Sequence, residues 1–173
     1  MEEEFHNHMR IPWHDYTRKS IGRPITEASL SEKASIIGRT GIMLLSCGTG
    51  AWRVRSSMNT LARELGITCT ADIGLLSIEY TCIDGGNCYT ESLCLFNTGV
   101  NTSKLYRMEL FVNKFSKNCK KMSGDELHTL LDQIHEIHGF YSPPFLGLAA
   151  AVACSAFYFF YSVADRLRCF VHS

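Results

Sequence analysis

The spacing of apolar residues predicts two helices in the first part of the chain. Ser29 and Glu32 have the spacing of a capping box, and they precede an apolar segment that ends at a glycine-rich turn. In the next segment apolar side chains recur at helical spacing from Val54 to Leu65, and a glycine of the kind that commonly ends a helix follows. Residues 1–28 are polar and aperiodic, which predicts a poorly ordered N-terminal arm or a short leading element.

The hydrophobic period changes from helical to alternating after Ile67. The Asp-Gly-Gly-Asn sequence at 84–87 is typical of the turn of a β-hairpin. Two further helices follow the strands, and the second begins with another capping box at Ser123 and Glu126. The three predicted strands lie within residues 67–74, 75–83 and 88–95. The order ααβββαα predicts an α+β fold, with helices flanking a small antiparallel sheet.

The last apolar segment is the longest in the chain. Residues 145–164 form a stretch of twenty without a charged side chain. A helix of this length is about 30 Å long, which matches the hydrocarbon thickness of a bilayer. We therefore predict a soluble domain over 29–142, one transmembrane helix over 143–164 and a short tail over 165–173. The alternative is a buried helix in a soluble core, where such a length without a polar face is rare.

Small residues recur every four positions in this segment, at Gly147, Ala151 and Ser155. This spacing lets another helix approach closely, so it predicts packing against a second copy of the chain or against partner helices that belong to a longer protein. The arginines at 166 and 168 would place the tail in the cytoplasm. The N-terminal sequence shows no export signal, and we give this more weight: we expect a cell-membrane protein with its N-terminal domain on the cytoplasmic side.

The charge balance and the cysteine content limit the partners and the metal sites that we expect. Seventeen basic residues balance seventeen acidic ones, so the overall charge gives no reason to expect nucleic acid as a partner. The eight cysteines are expected to be reduced, because no signal peptide is evident, and the four in the strand region lack the C-x₂-C spacing of closed zinc sites. Three histidines of the last helix of the domain, His128, His135 and His138, are expected to form a solvent-facing edge rather than a metal site. We predict no metal and no cofactor.

Candidate binding residues are few. Gly48 and Arg53 belong to a glycine-rich turn before a helix, where backbone N–H groups and the guanidinium could hold an anion. The alternative is an ordinary helix–helix turn with Trp52 packed against a neighbouring element, and we favour it. Asp72 is a candidate acid on the strands. No Walker A sequence, Ser-His-Asp order or HExxH sequence is present, so we do not predict an enzyme.

The segment LLSCGTGAWRVRSSMNTLARELGI resembles the first signature of the threonine/serine exporter family. The shared features are the glycine-containing turn, an aromatic-Arg-Val triplet at Trp52-Arg53-Val54, and a helix ending in Leu65-Gly66. The hairpin strands, the helix MSGDELHTLLDQI and the approach YSPP into an Ala-rich helix continue the resemblance, over about residues 31–160. It departs from the family at Gly50, where many members have an acidic residue.

The resemblance implies a cytoplasmic N-terminal domain followed by about ten membrane helices in full-length members, and export of small hydroxy amino acids or related acids. The expected partners are then the lipid bilayer and further membrane helices of the same transporter or of a partner subunit. The segment SVADRLRCFVHS at 162–173 does not resemble the family's continuation into the next helix, so we expect a truncated chain that does not transport alone. The alternatives are a membrane-anchored binding or regulatory module and, less favoured, a membrane-tethered hydrolase built on the turn at 48–55 and the strand acids.

Overall fold

The computed structural model describes residues 11–18, 22–96, 98–137 and 143–171, except for the side chains of residues 143, 146 and 162–171. The chain divides into two units, Met1–His138 and Gly139–Ser173. The described part of the first unit contains four helices and three strands, and the described part of the second is one helix.

The helices of the first unit are α1 (Leu30–Ser46), α2 (Ala51–Glu64), α3 (Thr102–Lys114) and α4 (Gly124–His135), and the strands are β1 (Thr68–Ile73), β2 (Ser77–Asp84) and β3 (Asn87–Cys94). Two short 3₁₀-helices, Trp13–Thr17 and Ile25–Glu27, precede α1, and a turn of π-helix, Phe115–Cys119, follows α3. This order confirms the predicted ααβββαα arrangement and the α+β class.

The sheet is antiparallel throughout, with the strands in the order β1-β2-β3. Asp84 pairs with Asn87 across the predicted hairpin turn. Gly85 and Gly86 between them have φ of 58° and 149°, a region that L side chains rarely adopt. The hairpin prediction is therefore confirmed, and its reason is the freedom of two glycines at the turn.

Helix α1 forms the centre of the first unit and is buried from Glu32 to Leu45. Ser29 caps it by accepting a hydrogen bond from the Glu32 N–H at 3.4 Å, as predicted. Two glycines let its neighbours approach: a Cβ at Gly38 would overlap the Tyr80 hydroxyl, and one at Gly41 would lie 2.6 Å from the Met58 sulfur. The sheet and α2 therefore pack directly on the α1 backbone.

The predicted arm contains folded segments. Ile25 is fully buried, and its N–H donates to the Met122 carbonyl at 2.8 Å, just before α4. The 3₁₀-helix Trp13–Thr17 has one buried side chain, that of Thr17. Residues 1–10 of the predicted arm lie outside the described residues.

The second unit consists of α5 (Pro143–Val171), which begins where we predicted and continues seven residues further than Ala164. Leucine and arginine are good helix formers and no proline or glycine follows Ala164, so the predicted tail is largely helical. Over the described residues, none of the helices has both the length and the apolar character needed to cross a membrane. The transmembrane assignment of 143–164 is therefore not supported.

Candidate functional site

The glycine-rich turn joins α1 to α2. Gly48 has a φ of 76°, and its N–H donates to the Leu45 carbonyl at 3.0 Å, so the residue ends α1. The Arg53 guanidinium donates to the Glu109 carboxylate at 2.9 Å and lies 5.3 Å from the Trp52 ring. Because Glu109 offsets the charge of Arg53, the geometry favours a structural helix–helix turn over an anion site. Trp52 is 68% exposed, so our expectation that it packs against a neighbouring element was wrong.

Asp72 lies on the solvent-facing side of the sheet. It stands directly opposite Glu79 in the β1–β2 register, in a shallow depression of about 360 Å³ that is completed by Thr70, Ala71 and Thr81. Two carboxylates at directly opposite positions repel each other, so the depression favours a cationic group. The threonine hydroxyls can both donate and accept hydrogen bonds there.

The predicted site residues do not form a single site. Gly48 and Arg53 belong to the turn between α1 and α2, and Arg53 contacts α3. Asp72 lies on β1, where Arg55 of α2 donates to the neighbouring Ala71 carbonyl at 3.0 Å. The turn and the depression are therefore two separate candidates.

A buried polar cluster lies between α1 and α4, and the sequence pattern did not predict it. His128 is fully buried, so the expected solvent-facing position is wrong for this histidine, whereas His135 is exposed as predicted. The Ser35 hydroxyl lies 3.1 Å from His128 Nε2, and Arg39 lies 3.3 Å from His128 Nδ1. Arg39 also donates to the His128 carbonyl at 3.0 Å and forms an ion pair with Asp132. His138 lies outside the described residues.

The Ser35–His128 pair resembles a nucleophile and its base, but the proton directions are opposite to those of catalysis. Arg39 can only donate, so Nδ1 of His128 is the acceptor and Nε2 carries the hydrogen. Nε2–H then donates to Ser35, whose hydroxyl donates to the Glu32 carbonyl at 2.8 Å. Burial, with the Arg39 charge second, lowers the pKa of His128 to about 3. With Nε2–H directed at Ser35, the ring is not placed to take the Ser35 proton, and this pair gives no support to the hydrolase alternative.

A carboxylate on β3 is held by two tyrosines. Glu91 accepts hydrogen bonds from the hydroxyls of Tyr16 at 2.7 Å and Tyr80 at 2.6 Å. Burial raises the pKa of both tyrosines, and hydrogen bonding to the Glu91 carboxylate raises each further. The contact attaches the first 3₁₀-helix to the sheet.

The strand cysteines divide between the two faces of the sheet. Cys69 and Cys82 are buried opposite each other, whereas Cys88 and Cys94 are exposed. Within the described ranges, no three His, Cys, Asp or Glu side chains are grouped in a way that could hold a metal ion.

Comparison with known proteins identifies the class of protein. The family model ThrE, described as "Putative threonine/serine exporter", matches residues 35–172, which is well over half of the chain. The chain belongs to the threonine/serine exporter family, a class of membrane transporter, as its resemblance to that family predicted. No curated protein and no solved structure matches the chain.

Proposed function

We propose that this protein takes part in the export of small hydroxy amino acids, such as threonine and serine, or of related small acids, across the cell membrane. The observation that carries the proposal is the family match, which begins within α1 and extends through the whole of α5. The α+β unit is the part of the transporter that faces the cytoplasm. Its free cysteines, including the opposed Cys69 and Cys82, support a reducing compartment.

The depression at Asp72 is the better of the two candidate contacts with substrate. Its paired carboxylates suit the ammonium group of an amino acid, and the adjacent threonines suit a hydroxyl group. Arg53 is a weaker candidate because its charge is already paired with Glu109. Gly48 acts through the turn conformation rather than by contact with substrate.

Complementation in cells tests the proposal. The host produces a family exporter from which the soluble domain has been deleted, together with the full chain described here, and efflux of preloaded radiolabelled threonine is measured. The chain should restore threonine efflux without changing leucine efflux. Efflux at the rate of the deletion alone, with the chain present in the membrane fraction, would contradict the proposal.

Two variants then test the depression. Asp72→Asn removes one of the opposed carboxylates and should reduce the restored efflux. Glu136→Gln is the control, since Glu136 is an exposed carboxylate at the end of α4 and is not among the residues that line the depression. Equal efflux in both variants would remove Asp72 from the site.

The small residues of α5 are the proposed contact with another helix. Gly147, Ala151 and Ser155 are exposed, and the Ser155 hydroxyl donates to the Ala151 carbonyl at 2.8 Å within the same helix. Gly147→Leu should weaken association of the chain with itself or with the exporter helices, measured by crosslinking in membranes. Val152→Leu, which enlarges a residue outside the small-residue stripe, is the control.

A further inference from the structure

The segment of residues 11–18, which we name the strap, lies across the buried cluster between α1 and α4. The Trp13 ring stacks on the His128 ring, with 6.0 Å between the two ring centroids. The Cζ atom of Arg39 lies 5.7 Å from the centroid of the Trp13 ring. The strap therefore covers two members of the cluster, one from each helix.

The strap is attached to α4 by a histidine between two carboxylates. His14 Nδ1 lies 2.6 Å from Asp125 Oδ1, and His14 Nε2 lies 2.8 Å from Asp132 Oδ2. An ionised carboxylate can only accept hydrogen bonds, so both ring nitrogens must carry a hydrogen. The geometry thus requires the charged imidazolium form of His14.

The surrounding charges favour that form. On α4, Asp125 and Asp132 are the two partners, and the neutral His128 ring lies 5.7 Å away. From α1, Arg39 pairs with the other oxygen of Asp132, so this carboxylate bridges two cations. On the strap itself, Asp15 is paired with Arg18 at 2.8 Å. Hydrogen bonds to Asp125 and then to Asp132 raise the pKa of His14 above 6.5.

We infer that the strap is a pH-sensitive latch, closed while His14 is an imidazolium and released as the pH rises. When His14 loses its proton, one ring nitrogen becomes an acceptor facing a carboxylate oxygen, and that contact turns from attraction to repulsion. Because the pKa of His14 is raised in the folded protein, the stabilisation that charged His14 gives to the closed strap is fully present below pH 6.5. That stabilisation is lost as the pH rises through the pKa of His14 in the folded protein. Release uncovers the Arg39 and His128 side chains between α1 and α4.

The second attachment of the strap does not titrate in the same range. The Tyr16 hydroxyl donates to Glu91 on β3, and burial raises the pKa of Tyr16 above its ordinary value. The end of the strap that carries Trp13 and His14 is therefore the part that opens, while Tyr16 keeps the segment near the sheet.

Fluorescence of Trp13 tests the latch in the full chain. The sequence contains two tryptophans, so Trp52→Phe leaves Trp13 as the single tryptophan reporter. Because Trp52 is exposed, we expect this substitution to disturb the fold little. Acrylamide quenching of Trp13 should increase between pH 6 and pH 9, with a midpoint above 6.5. Quenching that stays constant over this range would overturn the latch.

Three further substitutions in the Trp52→Phe background assign the transition. His14→Gln should remove it and leave Trp13 accessible at every pH, and a transition that persists in this variant would overturn the assignment. Asp125→Asn should lower the midpoint by about one pH unit, since it removes one neighbouring charge but leaves the Arg39–Asp132 pair. Asp15→Asn removes a carboxylate from the strap that does not contact His14, and it should leave the midpoint unchanged.

Discussion

Two helices of this protein are rich in apolar and small residues, yet their surroundings are opposite. Helix α1 contains charged side chains and is buried from Glu32 to Leu45. The central part of α5 contains no charged residue, and its large side chains are exposed, with Phe157 at 80%. The local hydropathy of these helices therefore does not predict which of them is buried. Helix α1 is buried because other elements supply packing surfaces for it and partners for its polar groups.

The charges of α1 show how burial of a polar helix is possible. Arg39 is paired with Asp132 and bonded to His128, and Lys33 lies 3.9 Å from Asp84 on the sheet. Glu32 packs beside Gly124, in the first turn of α4, where the helix dipole favours a carboxylate. Arg39 and Lys33 thus have partners from distant parts of the chain, as burial of a charge requires.

The largest difference between the helices is expected for truncation of an apolar side chain. Ile37 of α1 is fully buried, so Ile37→Ala should lower the free energy of unfolding of the first unit by about 2–5 kcal/mol. Val152 of α5 is 62% exposed, so Val152→Ala should change it by less than about 0.5 kcal/mol. Urea unfolding followed by tryptophan fluorescence measures both, since both tryptophans belong to the first unit. A loss below about 0.5 kcal/mol for Ile37→Ala would contradict the buried position of α1.

The second difference is that a titrating side chain affects the stability of the first unit but is absent from the apolar segment of α5. The pKa of His128 is about 3 in the folded protein against 6.5 ordinarily, so the unfolded chain binds a proton that the folded state excludes. Stability should fall as the pH drops from 6.5 toward 3, by up to about 1.4 kcal/mol per pH unit. Residues 145–164 of α5 contain no group that titrates in this range.

Unfolding titrations at several pH values test this in wild type and in His128→Asn. The variant should lose most of the slope between pH 6.5 and pH 4. Thr129→Ala is the control, because Thr129 is the exposed neighbour of His128 on α4 and its side chain does not titrate. An unchanged slope in His128→Asn would show that this histidine is not the group responsible.

A methyl group added at a glycine should destabilise the unit that contains α1 and should stabilise α5. Gly38→Ala places a Cβ against the Tyr80 hydroxyl and should destabilise the first unit by about 1–3 kcal/mol. A Cβ at Gly147 meets nothing within 4 Å, so Gly147→Ala should raise the helicity of α5, with a gain of about 0.5–1 kcal/mol. Unfolding measures the first effect and circular dichroism the second. Tolerance of alanine at position 38 would mean that the sheet can move away from α1.

The smallest contrast is between two serines. Ser35→Ala removes the acceptor of the His128 Nε2 hydrogen and should cost about 1–2 kcal/mol. Ser155 donates to a carbonyl of its own exposed helix, so Ser155→Ala should change stability by less than about 0.5 kcal/mol. The same unfolding assay and circular dichroism compare them. A neutral Ser35→Ala would imply that water replaces the hydroxyl in the cluster.

Much of the fold was predictable because its signals are local. The Ser29 and Ser123 caps and the turn at 84–87 involve residues at most three positions apart, and all three are confirmed. The buried cluster was not predictable in the same way. Arg39 and His128 meet across 89 residues of sequence, and His128 is one position from Leu127, at the edge of the buried stripe of α4. A helical pattern alone does not distinguish a buried histidine there from an exposed one.

The sequence by itself determined the order of helices and strands, their caps and turn, and the resemblance to the exporter family, because these depend on neighbouring residues and on motif spacing. The tertiary structure alone decided that α1 is the buried helix, that the strap closes over His128, and that Asp72 faces Glu79 while Arg53 pairs with Glu109. The reason is physical: the free energy of burying a charge depends on partners that the fold brings from distant positions.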